Sequence, residues 1–135
     1  MKRVFLDTNI LIDYIQNREG GDDAKQLLMR GFNHQIDLCA SFLTFANIAY
    51  VVKGKVDIYE LISTLTSFIN VLPMDAKQLR EALTLHVRDF EDMLQYQCAI
   101  SAKCDCIITN NKKDFINYCH IPLFTAAEFL SAQRK

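Results

Sequence analysis

The sequence predicts a three-layer α/β fold, in which a mostly parallel sheet of four or five strands carries helices on both faces. Short apolar runs alternate with longer amphipathic segments along all 135 residues, which is the pattern of strands joined by crossover helices. No Asn-Gly or Asp-Gly pair, the strongest signal of a tight hairpin, occurs in the chain. Since neither a linker nor a repeat is apparent, one domain spanning residues 1–135 is expected.

The first strand is predicted from a short apolar run near the start of the sequence. Val4, Phe5 and Leu6 are consecutive apolar residues, too few for a helix, and a strand without polar alternation is typical of the centre of a parallel sheet. Asp7 follows at once, and ligands bind at the carboxyl ends of strands in open α/β sheets. Asp7 is therefore a candidate site residue, although capping of a helix that begins near Thr8 would also explain it.

Apolar residues at helical spacing predict the helices of the first half of the chain. These helices are expected at residues 10–15, 24–32, 43–53 and 58–68. Gly20 and Gly21 indicate a loop, followed by a helix N-cap in Asp22-Asp23, and Gly54 is a natural helix stop. Strands are expected at residues 37–41 and 69–72, the second ended by Pro73.

In the second half, Asp75 and Asp89 are the predicted N-caps of two helices, at residues 76–86 and 90–103. In the first of these helices, one face is expected to be shared by Leu79, Ala82, Leu83 and His86. A strand at 106–109, a loop at 110–115, an edge strand at 122–124 and a closing helix at 126–132 complete the order.

Composition limits the classes of protein that the chain can represent. Half of the residues are hydrophobic and 23% are charged, which indicates a globular protein. No apolar run reaches the ~18 residues of a membrane span, and none resembles a secretory signal, so a cytoplasmic protein without a membrane partner is expected. The five cysteines are odd in number and lack a framework spacing, which favours buried reduced thiols over a zinc site.

The net charge of −1 provides no overall field that would attract nucleic acid. Any such affinity must come from local basic groups, of which the candidates are Lys53, Lys55, Arg88, Lys112 and Lys113. Each is also explained as an ordinary solvated surface charge.

Acidic side chains follow two predicted strands and begin one late helix. Asp7 ends the first strand, Asp92 lies in the first turn of the helix at 90–103, and Asp114 with Asn111 follows the strand at 106–109. If these two strands are neighbours, the acids converge at one edge of the sheet. Unpaired carboxylates repel one another unless a cation lies among them, and oxygen ligands suit Mg²⁺ or Mn²⁺. Helix capping remains an alternative for each acid taken alone.

Three separated segments carry a resemblance to a known family. They are residues 4–14, VFLDTNILIDY, residues 89–96, DFEDMLQY, and residues 107–115, IITNNKKDF. In this order they resemble the motifs of the PIN-domain family, which includes many Mg²⁺-dependent ribonucleases and VapC-like toxins. The resemblance extends over essentially the whole chain and implies the same three-layer fold.

The resemblance also implies metal-dependent hydrolysis of RNA. Matched position by position, Asp7, Asp92 and Asp114 are expected to hold Mg²⁺ or Mn²⁺, and Asn111 falls on a catalytic position that is often Asp in the family. The second acid of the family, usually Glu, falls on Asn47. An amide oxygen can still touch a metal, but one negative charge is lost.

Partners are implied in the same way, namely an antitoxin protein lying across the acidic groove and a second copy in a homodimer. The candidate interface residues are Phe42, Phe45, Tyr50 and Tyr59, although such residue types pack into cores more often. Two alternatives remain open. Asn47 is compatible with a catalytically weakened PIN-like module that binds RNA or protein, and haloacid-dehalogenase-type phosphatases also begin with a strand ending in Asp. Those phosphatases place a second Asp two residues on, where this chain has Asn9.

Overall fold

A computed structural model describes residues 1–133 and has the predicted α/β architecture. Within these residues the strands are β1 Arg3–Leu6, β2 Asp37–Ser41, β3 Asn70–Leu72, β4 Cys106–Ile108 and β5 Leu123–Phe124. The helices in the same part of the chain are α1 Thr8–Ile15, α2 Gly21–Phe32, α3 Phe42–Val51, α4 Ile58–Thr66, α5 Ala76–Thr84, α6 Phe90–Ser101 and α7 Ala126–Gln133, with a 3₁₀ turn at Lys112–Asp114.

The five strands form one parallel sheet in the order β3-β2-β1-β4-β5. β1 is central because its three apolar residues are all fully buried and face two separate hydrophobic cores. Val4 and Leu6 pack into one core with residues of α1, α2 and α7, and Phe5 packs into the other with residues of α6. Alternating side chains of one strand thus serve both layers of helices.

The carboxyl ends of β1 and β4 lie side by side, as the convergence of the acids requires. Leu6 is paired with Ile108 in the sheet, and the backbone N–H of Asp7 donates to the Ile108 carbonyl at 3.0 Å. The residues that follow each strand, Asp7 and Thr109, therefore emerge together at one edge of the sheet.

Helix α2 begins earlier than predicted, at Gly21, so the expected N-cap in Asp22-Asp23 is wrong and both aspartates lie in the first turn. Gly20 is in the left-handed region with φ of 88°, which glycine tolerates best. A Cβ on Gly21 would lie 2.9 Å from the Asp13 carbonyl oxygen. The two glycines therefore allow α2 to begin directly against the end of α1.

Helix α5 is shorter than predicted, and most of the face that its apolar residues share is exposed to solvent. It ends at Thr84, and His86 has a positive φ of 46° that stops the helix before its predicted end. Leu79 and Leu83 are exposed, and the buried residues of the helix are Gln78 and Ala82. At the start of the helix, the Gln78 side chain accepts the Asp75 backbone N–H at 2.8 Å in a capping box.

Three of the four aromatic residues considered for an interface do not enter the core. Phe45 is buried, whereas Phe42, Tyr50 and Tyr59 are 66%, 82% and 90% exposed.

Four cysteines are buried and the fifth is half-buried, all as free thiols. Among residues 1–133, none of the helices combines the length and the apolar character that crossing a bilayer requires.

Candidate active site

Asp7 lies at the end of the central strand with both carboxylate oxygens engaged. Oδ1 accepts the Thr8 backbone N–H at 2.8 Å, so Asp7 does cap α1, and Oδ2 accepts the Thr109 hydroxyl at 2.8 Å. The side chain is only 5% exposed. Burial raises the pKa of Asp7, the two hydrogen bonds partly offset this, and the nearby carboxylates of Glu91 and Asp89 raise it again. Asp7 therefore combines a structural cap with an acid in a negative environment.

Asp92 enters the same space from the first turn of α6. Asp89 is the N-cap of this helix, and its Oδ1 accepts the Asp92 backbone N–H at 3.1 Å. Burial first, and then the carboxylates of Asp7, Asp89 and Asp114, raise the pKa of Asp92 to about 7. The charges of Asp7, Asp89 and Asp114 therefore lie close enough to Asp92 to affect its protonation.

The loop after β4 places Asn111 and Asp114 on the open side of this group. The Asn111 backbone N–H donates to the Thr109 hydroxyl oxygen at 3.1 Å, and the same hydroxyl donates to Asp7. Asp114 lies in the 3₁₀ turn, exposed to solvent. A cavity of about 730 Å³ opens here, lined by Val87, Arg88, Asp89, Asn111, Lys113, Asp114, Asn117 and Tyr118. Thr109 thus links the buried acid to the exposed loop.

Asn47, at the position of the missing family acid, is half-buried on α3 and contacts α6. Its Nδ2 donates to Glu91 Oε1 at 2.7 Å. Glu91 is also among the charges that raise the pKa of Asp7, so its carboxylate lies near the acid that ends β1. The sequence patterns singled out neither Glu91 nor Thr109, and the only signal for them is that they lie in the family-like segments at residues 89–96 and 107–115.

No basic side chain neutralises these acids through an ion pair in the described part of the chain. The two ion pairs found there join Arg3 to Asp37 and Lys112 to Glu128, at 3.1 and 2.9 Å. Lys112 is therefore engaged elsewhere, whereas Arg88 and Lys113 line the cavity.

The donor chemistry of this group fits a hard divalent cation, since every side chain of it supplies oxygen. One further oxygen, Asn9 Oδ1, is buried without a hydrogen-bond partner two residues after Asp7. Within residues 1–133, however, no three acidic, His or Cys side chains lie at the spacing of a preformed metal site. A bound cation would therefore require these carboxylates to move closer together before they could coordinate it.

A family comparison decides what kind of domain carries this site. The sequence model of the family described as PIN domain matches residues 3–113, which include β1, Asn47, Asp92 and the Thr109–Asn111 loop. The chain belongs to the PIN-domain family. The resemblance of the three motifs is thereby confirmed, and the α/β fold with its parallel sheet is that of a PIN domain.

Individual relatives agree with this assignment. The PIN domain is 26% identical to "Ribonuclease VapC1" of Aquifex aeolicus (strain VF5), over 95% of this chain and 93% of that protein. Its fold is similar to the solved structure of VapBC-1 from nontypeable Haemophilus influenzae, with a TM-score of 0.65 and 23% identity over 93% of this chain and 98% of that one. The fold is also similar to that of VapBC2 from Rickettsia felis, solved with a DNA fragment from its promoter. The TM-score is 0.68 and the identity 22%, over 91% of this chain and 98% of that one.

The raised pKa of Asp92 predicts how the stability of the PIN domain depends on pH. An acid whose pKa is raised by folding contributes stability that is present below its unfolded pKa, roughly 4, and that is lost as the pH rises through about 7. The Asp92→Asn variant is therefore expected to lose less stability than the wild type between pH 5 and pH 8, as read from urea midpoints in chelator. Equal losses in the two proteins would show that Asp92 titrates normally.

Proposed function

We propose that this PIN domain is a divalent-metal-dependent endoribonuclease. The observation that carries the proposal is that Asp7 and Asp114 follow the neighbouring strands β1 and β4, while Asp92 lies in the first turn of α6, where burial and then the charges of Asp7, Asp89 and Asp114 raise its pKa. A relative covering nearly the whole chain is named as a ribonuclease, which supports RNA as the substrate class. The reaction would be hydrolysis of a phosphodiester bond.

Asp7, Asp92 and Asp114 are the proposed ligands of Mg²⁺ or Mn²⁺. Such an ion, when bound, lowers the pKa of a coordinated water and offsets the charge that develops on the phosphate. Thr109 holds Asp7 in place through its hydroxyl. Asn47 acts through Glu91, whose carboxylate it orients, so that Glu91 supplies the negative charge that position 47 lacks.

Two basic residues on the cavity wall fit contact with the RNA backbone. Arg88 and Lys113 line the cavity beside Asn111 and Asp114, so a phosphate there would lie between cationic side chains and the acidic group. Phosphate contacts of this kind provide affinity without sequence selection. We propose Arg88 and Lys113 as backbone contacts and Asn111 as a polar contact close to the scissile phosphate.

We also propose that the chain works as the toxin of a toxin-antitoxin pair in the bacterial cytoplasm, as a homodimer. The support is the likeness of its fold to VapBC structures and to a toxin-antitoxin complex from Klebsiella pneumoniae, with a TM-score of 0.66 and 24% identity over 91% of this chain and 97% of that one. Exposed apolar side chains, among them Phe32, Phe42 and Tyr50, provide surface that a protein partner would cover.

The direct test is incubation of the purified chain with single-stranded RNA. Cleavage is expected in Mn²⁺ or Mg²⁺ and is expected to stop when a chelator is added in excess, because the carboxylates alone supply no activated water. RNA binding without cleavage in either metal would instead support the alternative, a catalytically weakened PIN-like binding module. Cleavage that persists in chelator would contradict metal dependence.

A further inference from the structure

A fully satisfied cluster of polar side chains lies beneath the acidic group, and we call its members, Thr8, Ser41, Thr44 and Gln95, the Gln95 cluster. Gln95 Oε1 accepts the Ser41 hydroxyl at 2.7 Å, and Gln95 Nε2 donates to Thr44 Oγ1 at 3.1 Å and to Thr8 Oγ1 at 3.2 Å. The two threonine hydroxyls are 2.8 Å apart. Gln95 is 1% exposed, and Ser41 and Thr44 are fully buried.

The three helices that the cluster joins, α1, α3 and α6, each carry or directly follow a residue of the proposed site. Thr8 directly follows Asp7 at the start of α1, Thr44 lies three residues before Asn47 on α3, and Gln95 lies three residues after Asp92 on α6. Ser41 is the N-cap of α3, with its hydroxyl accepting the Thr44 backbone N–H at 3.2 Å. One amide side chain thus contacts the N-terminal ends of α1 and α3 from within α6.

The geometry of an amide makes this contact directional. Both donor hydrogens of Gln95 and one acceptor position are used, and each bond restricts distance and angle. An apolar side chain of equal size would fill the space without fixing the rotation of α6 relative to its neighbours. Burying an amide carries a desolvation cost, and the complete set of partners here offsets that cost while setting one arrangement.

We propose that Gln95 is a positioning residue: it fixes the separation and rotation of α1, α3 and α6 so that Asp7, the Asn47–Glu91 pair and Asp92 face one another. The inference rests on the proposed nuclease function, since it assigns Gln95 a role in building that site. It does not place Gln95 in contact with substrate or metal.

The test uses Gln95→Met, which keeps length and approximate volume but removes every hydrogen bond, and Gln97→Met as the matched control on the same helix. In Gln95→Met, the affinity for Mn²⁺ measured by calorimetry and the kcat for RNA cleavage are each expected to fall by about 10-fold. Losses of this size follow when residues that hold metal ligands in place are removed. KM for RNA is expected to stay unchanged, because the cavity wall is intact. The control is expected to match the wild type in all three measurements.

A merely structural role would lower the urea midpoint but leave Mn²⁺ affinity and kcat of the folded protein unchanged, and that result would overturn the proposal. If Gln95→Met does not fold, Thr44→Val replaces it, since it removes one hydroxyl from the cluster without changing shape. Thr44→Val is expected to shift Mn²⁺ affinity and kcat in the same direction, and wild-type values for it would likewise overturn the proposal.

The positioning role of Gln95 can also be tested without metal, by a measurement that does not depend on the proposed nuclease function. Amide NMR of the metal-free Gln95→Met protein is expected to show shifted or broadened signals at Asp7, Asn47 and Asp92, with Ser101 at the far end of α6 unchanged. If the wild type neither binds Mn²⁺ nor cuts RNA, the proposed function is wrong, and this NMR comparison alone decides the positioning role. Unchanged signals at all three residues would exclude it.

Discussion

Replacing Asp7 by asparagine is expected to lower kcat for RNA cleavage by at least about 100-fold, since the role of metal ligand proposed for Asp7 implies several kcal/mol of transition-state stabilisation. The fold is expected to survive. The Asp7 carboxylate is buried and its pKa is raised by that burial, so the neutral amide removes an unfavourable buried charge. Thr8 and Thr109 can each still bond to the new side chain. Activity should therefore fall while the urea midpoint in chelator stays equal or rises.

The matched control is Asp22→Asn, an exposed aspartate in the first turn of α2. Both variants are purified side by side and assayed with the same RNA in Mn²⁺. Cleavage that persists equally in Asp7→Asn would mean that a contaminating nuclease, not this site, cuts the RNA. Loss of the folded state in Asp7→Asn would contradict the conclusion that burial of this charge opposes folding.

Exchanging the residues at positions 47 and 91 is the second experiment with a large expected effect. Glu91→Gln alone removes the carboxylate next to Asn47 and is expected to weaken Mn²⁺ binding by about 10-fold or more. The double variant Asn47→Glu with Glu91→Gln keeps one amide and one carboxylate at the 2.7 Å contact, with donor and acceptor exchanged. It is expected to recover most of the lost affinity, because the net charge at the site is restored.

Calorimetric titration with Mn²⁺ measures both variants, and Glu60→Gln, an exposed glutamate on α4, is the control. Wild-type affinity in Glu91→Gln would show that Glu91 contributes nothing to cation binding, and position 47 would then be a true gap in the site. A double variant no better than the single one would show that the charge acts only from α6. The first outcome would remove Glu91 from the proposed cation site, and the second would show that a carboxylate at position 47 cannot replace it.

Local patterns predicted most of the fold because the apolar runs are unambiguous. Val4–Leu6 and Cys106–Ile108 are short and continuous, and Asp75 and Asp89 cap the helices that they were expected to cap. The apolar face of α5 that periodicity identifies is not the face that is buried, because Leu79 and Leu83 are exposed. In the structure Gln78 and Ala82 are buried and Leu79 is exposed, so periodicity alone does not determine which face of the helix packs inward.

The site was predicted less completely than the fold for a different reason. Asp7 follows β1, Asp114 follows β4 and Asp92 begins α6, so the prediction that they converge rests on the element order and on β1 and β4 being neighbours. The contacts of Asn47 with Glu91 and of Gln95 with Thr8 join residues 44 and 87 positions apart. No local pattern encodes such contacts, since they depend on how the helices rotate when they pack.

The central place of β1 has a consequence for synthesis of the chain. The strand before Asp7 needs β4, whose residues follow about one hundred positions later in the chain, to complete the sheet on that side. Pairings so distant in sequence form late. A nascent chain that ends before Cys106 therefore lacks both the neighbour of β1 and the Thr109 hydroxyl that holds Asp7. The proposed hydrolytic site can therefore assemble only after residues 106–109 have left the ribosome.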